Sequence, residues 1–354
     1  MSKLRMVLYS MLGIALTAAL ISGRLSLDLV GNVVLAVVLF VVVMSVLVTV
    51  HEFAHFLVGK HLGAEPEVFS VGMGSVVYKF NWLGAEFRLS ALPVGGYVKF
   101  KKVQFDGENG SDSPNDKIKP SHWIWIALAG PVSNLVLSFI VFFTMTLLAL
   151  KDVSVHKVEN NVYQIQMNCG TETNPCSRMG ILASRTFFSK NVSNEVRVLD
   201  LNNFKLTKTD SVTMTVEEKS LLENLKLAWV GTIDLHRFFF HATGQALVKL
   251  VQKPHENYQQ MSGPVGIASS LNTLSKIGIE YVWLLFGAIS FSLGFMNLLP
   301  LSLLDGGRVL LAIYQSTVNP VVNAKVLNVL NVISYAGVLS LMVMGLIADI
   351  GRML

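Results

Sequence analysis

The feature that most restricts this chain is an apolar run, Leu29–Val50, which ends directly at His51. Val, Leu and Met dominate the run, and it is long enough for a helix to cross a bilayer, which takes about 20 such residues. Within lipid the backbone N–H and C=O groups must pair inside the segment, and a helix achieves this. The run therefore predicts a membrane-spanning helix.

Four further stretches are candidates for spans. Met6–Ile21 is short, at about 16 residues, and Lys3 and Arg5 ahead of it also fit the start of a secretory signal. Ala18–Gly23 offers no convincing cleavage site, so a retained helix is predicted. The other three stretches are Ile124–Leu150, Tyr281–Leu304 and Val326–Ile347.

Composition and charge agree with a membrane protein. Hydrophobic residues make up 52% of the chain and charged residues 14%, against about 25% charged in soluble domains. The net charge of +5 is too small to indicate nucleic acid as a partner, and the basic residues are spread among acidic ones. A mild basic excess suits loops that face anionic lipid, so the lipid bilayer is the expected partner.

Basic residues near the spans predict the orientation. Lys3 and Arg5 place the N-terminus in the cytoplasm, so the second span returns to the cytoplasm at His51. The loop after it is also rich in lysine. On this reasoning residues 151–253 are exported and the C-terminus lies outside.

The region between His61 and Ser121 changes from apolar runs to short alternating pieces, which predict β-strands. Asn81–Gly84 and Pro93–Gly96 are typical of hairpin turns, and Gly107–Pro120 is typical of a polar loop. A membrane-associated β-hairpin region on the cytoplasmic side is therefore predicted.

The exported residues 151–220 predict a small β-rich segment, because Val153–Gln166 and Val196–Val216 alternate as strands do. Both cysteines of the chain, Cys169 and Cys176, fall here. An oxidising compartment would let them form a disulfide, and two free thiols are the alternative.

From Leu222 to Val251 the apolar period becomes helical. This indicates a helix that lies in the membrane interface or against the spans, with His236 interrupting its apolar stripe. The stripe comprises Leu225, Trp229, Ile233, Phe240, Leu247 and Val251.

The residues His51-Glu52-Phe53-Ala54-His55 match the pattern HExxH. Positions i and i+4 share one helical face, so both imidazoles can reach one cation while Glu52 lies beside it. Zinc would activate a water molecule, from which Glu52 would take a proton. A chain of this length and composition contains the pattern by chance on the order of once in a hundred. Burial of an ionisable group near a bilayer centre also costs about 2.5–3.5 kcal/mol, so three such groups in this position indicate a function. The alternative is a pair of interfacial histidines at a helix end.

A third ligand is predicted at Asp305, which closes the apolar run of the fourth span. The orientation above places Asp305 at the same cytoplasmic depth as His51 and His55. Pro300 breaks the local helix, and the following glycines allow a close backbone approach. An ordinary Asp-Gly turn is the alternative.

Five motifs, in this order, carry a resemblance to a known family. They are HEFAH at His51–His55, LPVGGYVKF at Leu92–Phe100, AGPVSN at Ala129–Asn134, SGPVGIA at Ser262–Ala268 and NLLPLSLLDGGR at Asn297–Arg308. The chain resembles the site-2 proteases, which are intramembrane zinc metalloproteases, and within them the bacterial branch that regulates sigma factors (regulator of sigma E protease-like).

The resemblance implies that His51, His55 and Asp305 hold one zinc ion and that Glu52 is the catalytic base. It implies that Asn297 positions substrate or stabilises the oxyanion, with a hydrogen bond between helices as the alternative.

The same resemblance implies that the strand containing Gly95, Gly96 and Tyr97 pairs with an unwound substrate, since an opened helix needs partners for its backbone. An ordinary hairpin turn is the alternative for the two glycines.

The chain also departs from the family. Ser302 stands where a second proline is common, and Arg308 where the nearest branch often has histidine. Residues 151–220 are short for a PDZ domain, so a reduced, degenerate PDZ-like domain is predicted.

The predicted fold class is a predominantly α-helical, multi-span membrane protein with a β-hairpin region and a small extracytoplasmic β-rich domain. Its divisions are 1–28 (extra hydrophobic helix), 29–60 (span ending in HEFAH), 61–121 (hairpin and loop), 122–150 (span), 151–220 (PDZ-like segment), 221–280 (amphipathic helix and SGPVGIA loop), 281–318 (span with NLLPLSLLDGG) and 319–354 (final span).

The expected activity is cleavage of transmembrane segments in single-span proteins, such as anti-sigma factors or remnant signal peptides, in a bacterial cytoplasmic (inner) membrane. A metal-ion transporter and a non-proteolytic membrane scaffold are the alternatives. A transporter would tolerate Glu52→Gln with partial function, whereas a protease needs this base.

Overall fold

The structure is a computed structural model. It describes residues 27–101, 118–149, 153–159, 162–167, 196–200, 205–209, 221–253, 258, 261–318 and 324–353. The predicted first helix, most of the predicted polar loop at 107–120 and the predicted disulfide between Cys169 and Cys176 lie outside the described residues.

Three described helices are long and apolar enough to cross a membrane. Helix α1 (Leu27–His61) contains the apolar run, and an 18-residue stretch within Val30–His61 has a mean hydropathy of 3.2. The helix continues without a break through HEFAH, so the two histidines lie on one face. The other two such helices are α2 (Pro120–Ala149) and α7 (Ala324–Met353).

The predicted span Tyr281–Leu304 is wrong in its last seven residues. Helix α5 (Ile279–Asn297) ends at Asn297, the chain turns through residues 298–304, and helix α6 (Asp305–Val318) begins at Asp305. Pro300 explains the stop, because proline lacks the amide hydrogen and disfavours helical geometry in the residue before it. The described part of this span is thus a shorter apolar helix, Tyr281–Asn297.

Two long strands, β1 (Pro66–Trp82) and β2 (Ala85–Phe100), follow α1. Leu83 and Gly84 join them with φ angles of 49° and 82°, which is the geometry of a two-residue hairpin turn with positive φ at both positions. The predicted turn at Asn81–Gly84 is therefore confirmed.

The second predicted turn, Pro93–Gly96, is assigned to β2, yet the chain does reverse direction there, because residues 86–89 and 96–100 pair with residues 66–71 of β1 in opposite directions. Ser70 of β1 pairs with Tyr97 on one side and with Arg88 on the other, so the first part of β1 lies between two parts of β2. The chain therefore changes direction within its strands, and the positive φ of Gly95 (74°) suits this bend.

The strands predicted in residues 151–220 are present. Strands β3 (Val153–Glu159), β4 (Val162–Met167), β5 (Val196–Asp200) and β6 (Lys205–Thr209) form an antiparallel sheet in sequential order. The PDZ-like character of this segment stays a prediction.

The helix expected near Leu222–Val251 is α3 (Leu221–Gln252), and it packs against α2 and α5. Its buried face differs from the predicted stripe, because Trp229 and Phe240 are 55% and 56% exposed. His236 does not interrupt the packed face but belongs to it, since its Nε2 lies 3.0 Å from Ser138 Oγ on α2. Thr232 of α3 also meets Thr146 of α2, with their Oγ1 atoms 3.1 Å apart, and a hydrophobicity pattern does not reveal such a polar contact.

The main core lies between α1, α2, α3, α5 and the short helix α4 (Pro264–Ile277). Leu47 of α1, Phe142 of α2 and Leu271 of α4 are completely buried in it. Leu47 lies one helical turn before His51, so this packing holds the first HEFAH histidine in place.

Candidate metal centre and active site

His51, His55 and Asp305 meet at the centre of the molecule. Asp305 Oδ2 lies 3.0 Å from His51 Nε2 and 3.4 Å from His55 Nε2. The two Nε2 atoms are 3.2 Å apart, and the histidines are only 7% and 8% exposed. The structure thus brings together the three ligands that the sequence predicts.

The spacing of these atoms fits a shared zinc ion. Ligand atoms about 2.0–2.1 Å from a tetrahedral zinc lie roughly 3.3 Å from one another. The three observed separations of 3.0, 3.2 and 3.4 Å bracket that value. Two imidazole nitrogens and one carboxylate oxygen are also a donor set that zinc accepts, with one position left for a reactant.

The turn before α6 carries Asp305 to the histidines. A Cβ atom on Gly306 would collide with the carbonyl group of Leu298, and one on Gly307 with the carbonyl group of Leu301. Only glycine therefore lets the first turn of α6 fold back onto residues 298–302. This close approach is the structural role of the two glycines after Asp305.

Helix α2 lies directly against the two histidines. A Cβ atom on Gly130 would collide with His55 Nε2 and lie 2.6 Å from His51 Nε2. The carbonyl oxygen of Ile126 accepts a hydrogen bond of 2.6 Å from His55 Nδ1, and Asn134 Nδ2 lies 3.0 Å from His51 Nδ1. Ile126, Gly130 and Asn134 are spaced by four residues, so one face of α2 lies along the histidines.

Sequence reasoning assigned no role to Gly130 or Asn134, although both belong to the motif AGPVSN. Their spacing of four residues matches that of the two histidines. This spacing indicates one helical face and could have marked both residues as candidate partners of the histidines. The pattern alone did not say that this face of α2 meets α1.

Glu52 lies between the two histidines in the chain and is half-buried at a cleft of about 380 Å³. The remaining predicted site residues line the same cleft, namely Gly95, Gly96, Tyr97 and Asn297, as does Arg308. The cleft thus combines the candidate metal ligands, the candidate base and both candidate substrate-positioning groups.

Strand β2 passes directly over Glu52. A Cβ atom on Gly96 would lie 2.9 Å from Glu52 Cγ and 2.8 Å from both Val48 Cγ1 and the Ser70 carbonyl oxygen. A side chain at position 96 would therefore push the strand away from α1. Tyr97, the next residue, is partly exposed, and its hydroxyl accepts a hydrogen bond of 3.4 Å from Arg88.

Apolar helices of membrane-spanning length and a buried centre of two histidines and one carboxylate define a membrane metallohydrolase. Comparison with known families agrees. The model of Peptidase family M50 matches residues 39–342, and the chain belongs to this family, that of the site-2 proteases.

The chain is similar over most of its length to three bacterial proteins that carry the name "Putative zinc metalloprotease". Those from Helicobacter pylori and Campylobacter jejuni are both 25% identical and align with 89% of this chain and with 99% and 93% of their own lengths. That from Clostridium acetobutylicum is 24% identical, over 90% of this chain and 97% of its own.

This protein is accordingly a zinc metalloprotease of the membrane. The resemblance to the sigma-factor-regulating branch stays a prediction, because the match is to the family as a whole.

Proposed function

We propose that the protein is an intramembrane endopeptidase in which His51, His55 and Asp305 hold zinc and Glu52 is the general base. The observation that carries the proposal is that Asp305 of α6 meets His51 and His55, which lie on the largely apolar helix α1. Polar groups in such a helix are costly, and a shared cation compensates for that cost.

The chemistry follows from the groups around the cleft. Zinc, when bound, supplies a Lewis acid that polarises a carbonyl group and activates water. Glu52 adjoins His51 in the chain and lines the cleft, where its carboxylate can take a proton from water and give it to the leaving nitrogen. A glutamine at this position would keep the shape and lose the base.

Asn297 is suited to stabilise developing negative charge. It is the last residue of α5 and lines the cleft together with Asp305 and Glu52. Its amide can donate a hydrogen bond to an oxyanion without changing the charge of the site, which is the usual property of such groups.

The stretch 96–100 of β2 is suited to bind the substrate backbone. Its residues pair with 66–71 of β1 along one edge, and no other strand pairs with it within the described residues. Gly95, Gly96, Tyr97 and Val98 also line the cleft. A peptide that unwinds from a helix can add to such an edge and regain partners for its N–H and C=O groups.

The substrates that fit are transmembrane segments of single-span proteins, of the anti-sigma-factor or remnant-signal-peptide type. The cleft lies against a helix of spanning length, so a substrate helix can reach it from within the bilayer. A bacterial cytoplasmic membrane is the proposed location, with the metal centre nearer its cytoplasmic side as the basic residues predict.

A cleavage assay with purified, reconstituted protein and a model transmembrane peptide tests the proposal. Glu52→Gln should retain zinc and lose cleavage, whereas His51→Ala should lose both. Glu65→Gln is the matched control, because Glu65 is an exposed glutamate paired with Lys101, beyond the stretch 96–100 and outside the cleft. Cleavage by Glu52→Gln at the wild-type rate would contradict the proposed role of Glu52 as the base, whereas absence of cleavage by zinc-loaded wild-type protein would favour a transporter.

A further inference from the structure

A completely buried asparagine lies behind the first histidine of HEFAH. Asn134 on α2 has no exposed surface, and its Nδ2 lies 3.0 Å from His51 Nδ1. Its backbone carbonyl accepts a hydrogen bond of 2.8 Å from Ser290 Oγ on α5, a side chain that is also completely buried. The residue is therefore held by two helices against a third.

Which atom donates in the hydrogen bond between Asn134 and His51 follows from the role of the other ring nitrogen of His51, Nε2. His51 Nε2 and His55 Nε2 both point to Asp305 Oδ2, and a ring nitrogen binds a metal only through its lone pair. A neutral imidazole that presents Nε2 in this way carries its proton on Nδ1.

His55 already meets this requirement. Its Nδ1 lies 2.6 Å from the carbonyl oxygen of Ile126, which can only accept a hydrogen bond. By the same rule Nδ1–H of His51 needs an acceptor, and the side-chain amide of Asn134 is the group at hydrogen-bond distance.

The amide of Asn134 contains that acceptor on its other side. Its Oδ1 is buried and has no hydrogen-bond partner among the described residues, while its NH₂ group faces His51. The two ends of an asparagine amide have the same shape, and their assignment follows from hydrogen bonding. A half-turn of the amide about χ2 brings Oδ1 to the position beside His51 Nδ1.

We propose that Asn134 is a positioning residue for the metal centre: its Oδ1 accepts the hydrogen bond of His51 Nδ1–H and holds that ring with Nε2 directed at the metal. This inference rests on the proposed function, because it takes His51 as a zinc ligand. Partners of this kind change metal affinity by about 10–100-fold when they are removed.

Zinc affinity, measured by chelator competition on purified protein, tests this inference without reference to cleavage. Asn134→Leu removes the acceptor at similar volume and should weaken zinc binding about 10–100-fold. Asn134→Asp keeps an acceptor and removes both donors, so it should hold zinc within about threefold of wild type or more tightly. Ser138→Ala, one turn along α2 at another buried polar site, should leave the affinity unchanged.

Folding is checked by the elution profile in detergent, and Asn134→Ala replaces the leucine variant if that protein does not fold. Wild-type zinc affinity in Asn134→Leu or its alanine substitute would overturn the inference. An equal loss in Asn134→Asp would also overturn it, because the amide would then be needed as a donor or for packing. Absence of zinc from the wild-type protein would instead overturn the proposed metal site itself.

Discussion

Asp305 Oδ2 lies 3.0 Å from His51 Nε2, although 254 residues separate the two side chains in the sequence. The histidine comes from the C-terminal third of a spanning helix, whereas the carboxylate begins α6 after a tight turn. The N-terminal position of Asp305 also suits its negative charge, since the helix dipole is positive there. This contact brings helices α1 and α6 together at the candidate metal centre.

Removal of the carboxylate charge should empty the metal centre. Asp305→Asn keeps the shape of the side chain but replaces an anionic ligand with a neutral amide, which zinc binds poorly. We expect the zinc content, about one ion per chain in the wild type, to fall below about one tenth under mild chelation. Elemental analysis measures it, and full zinc retention would show that Asp305 is not a ligand.

The approach of α2 to the histidines should tolerate no side chain. Gly130→Ala places a methyl group against both Nε2 atoms, so zinc binding and cleavage should both be lost. Gly244→Ala in α3 is the matched control, because no atom lies within 4 Å of its added Cβ. The control should be neutral or stabilising by up to about 1 kcal/mol, as alanine favours helices. Wild-type zinc binding by Gly130→Ala would refute the observed approach.

The strand over Glu52 should matter for cleavage but not for metal binding. Gly96→Ala forces β2 away from Glu52 and Val48, and displacements of about 1 Å at such sites can cost on the order of 100-fold in rate. We expect the rate of peptide cleavage to fall while the zinc content stays at the wild-type level. Gly31→Ala, at an open position on α1, is the control. Unchanged cleavage by Gly96→Ala would show that the position of this strand does not matter for substrate binding.

A pair of serine residues connects the loop before Asp305 with the final helix, α7. The backbone N–H and the hydroxyl of Ser302 both lie 3.0 Å from Ser334 Oγ on α7. Ser334→Ala leaves the Ser302 N–H without this partner, and we expect a loss of about 1–3 kcal/mol. Thermal unfolding in detergent measures it. Ser340→Ala is the control, because that exposed hydroxyl donates a hydrogen bond within its own helix. An equal loss of stability in both variants would contradict a stabilising role for the contact between Ser302 and Ser334.

Local patterns were sufficient for the spanning helix α1 and for the shared face of His51 and His55. Helical periodicity fixes which residues face the same way, and apolar length fixes whether a helix can cross a bilayer. Asp305 could also be matched to the histidines, because orientation and depth follow from charges that are visible along the chain.

The bounds and roles of other segments depend on contacts with segments that are distant in the sequence. Pro93–Gly96 resembles a turn and the chain bends there, yet the flanking residues 86–89 and 96–100 pair with β1 and not with each other. The motif SGPVGIA likewise acquires a role only in three dimensions, where the backbone N–H groups of Gly263 and Gly266 donate to the buried carboxylate of Asp349 on α7.

The sequence by itself determined the class of the protein and predicted His51, His55 and Asp305 as the candidate metal ligands, because HExxH, the carboxylate and the apolar helices are each defined by neighbouring residues. Only the tertiary structure decided that Gly130 and Asn134 lie against the imidazoles and that β2 passes over Glu52. The physical reason is that a pattern specifies a face of a helix or strand, whereas packing between distant segments selects the face that it meets.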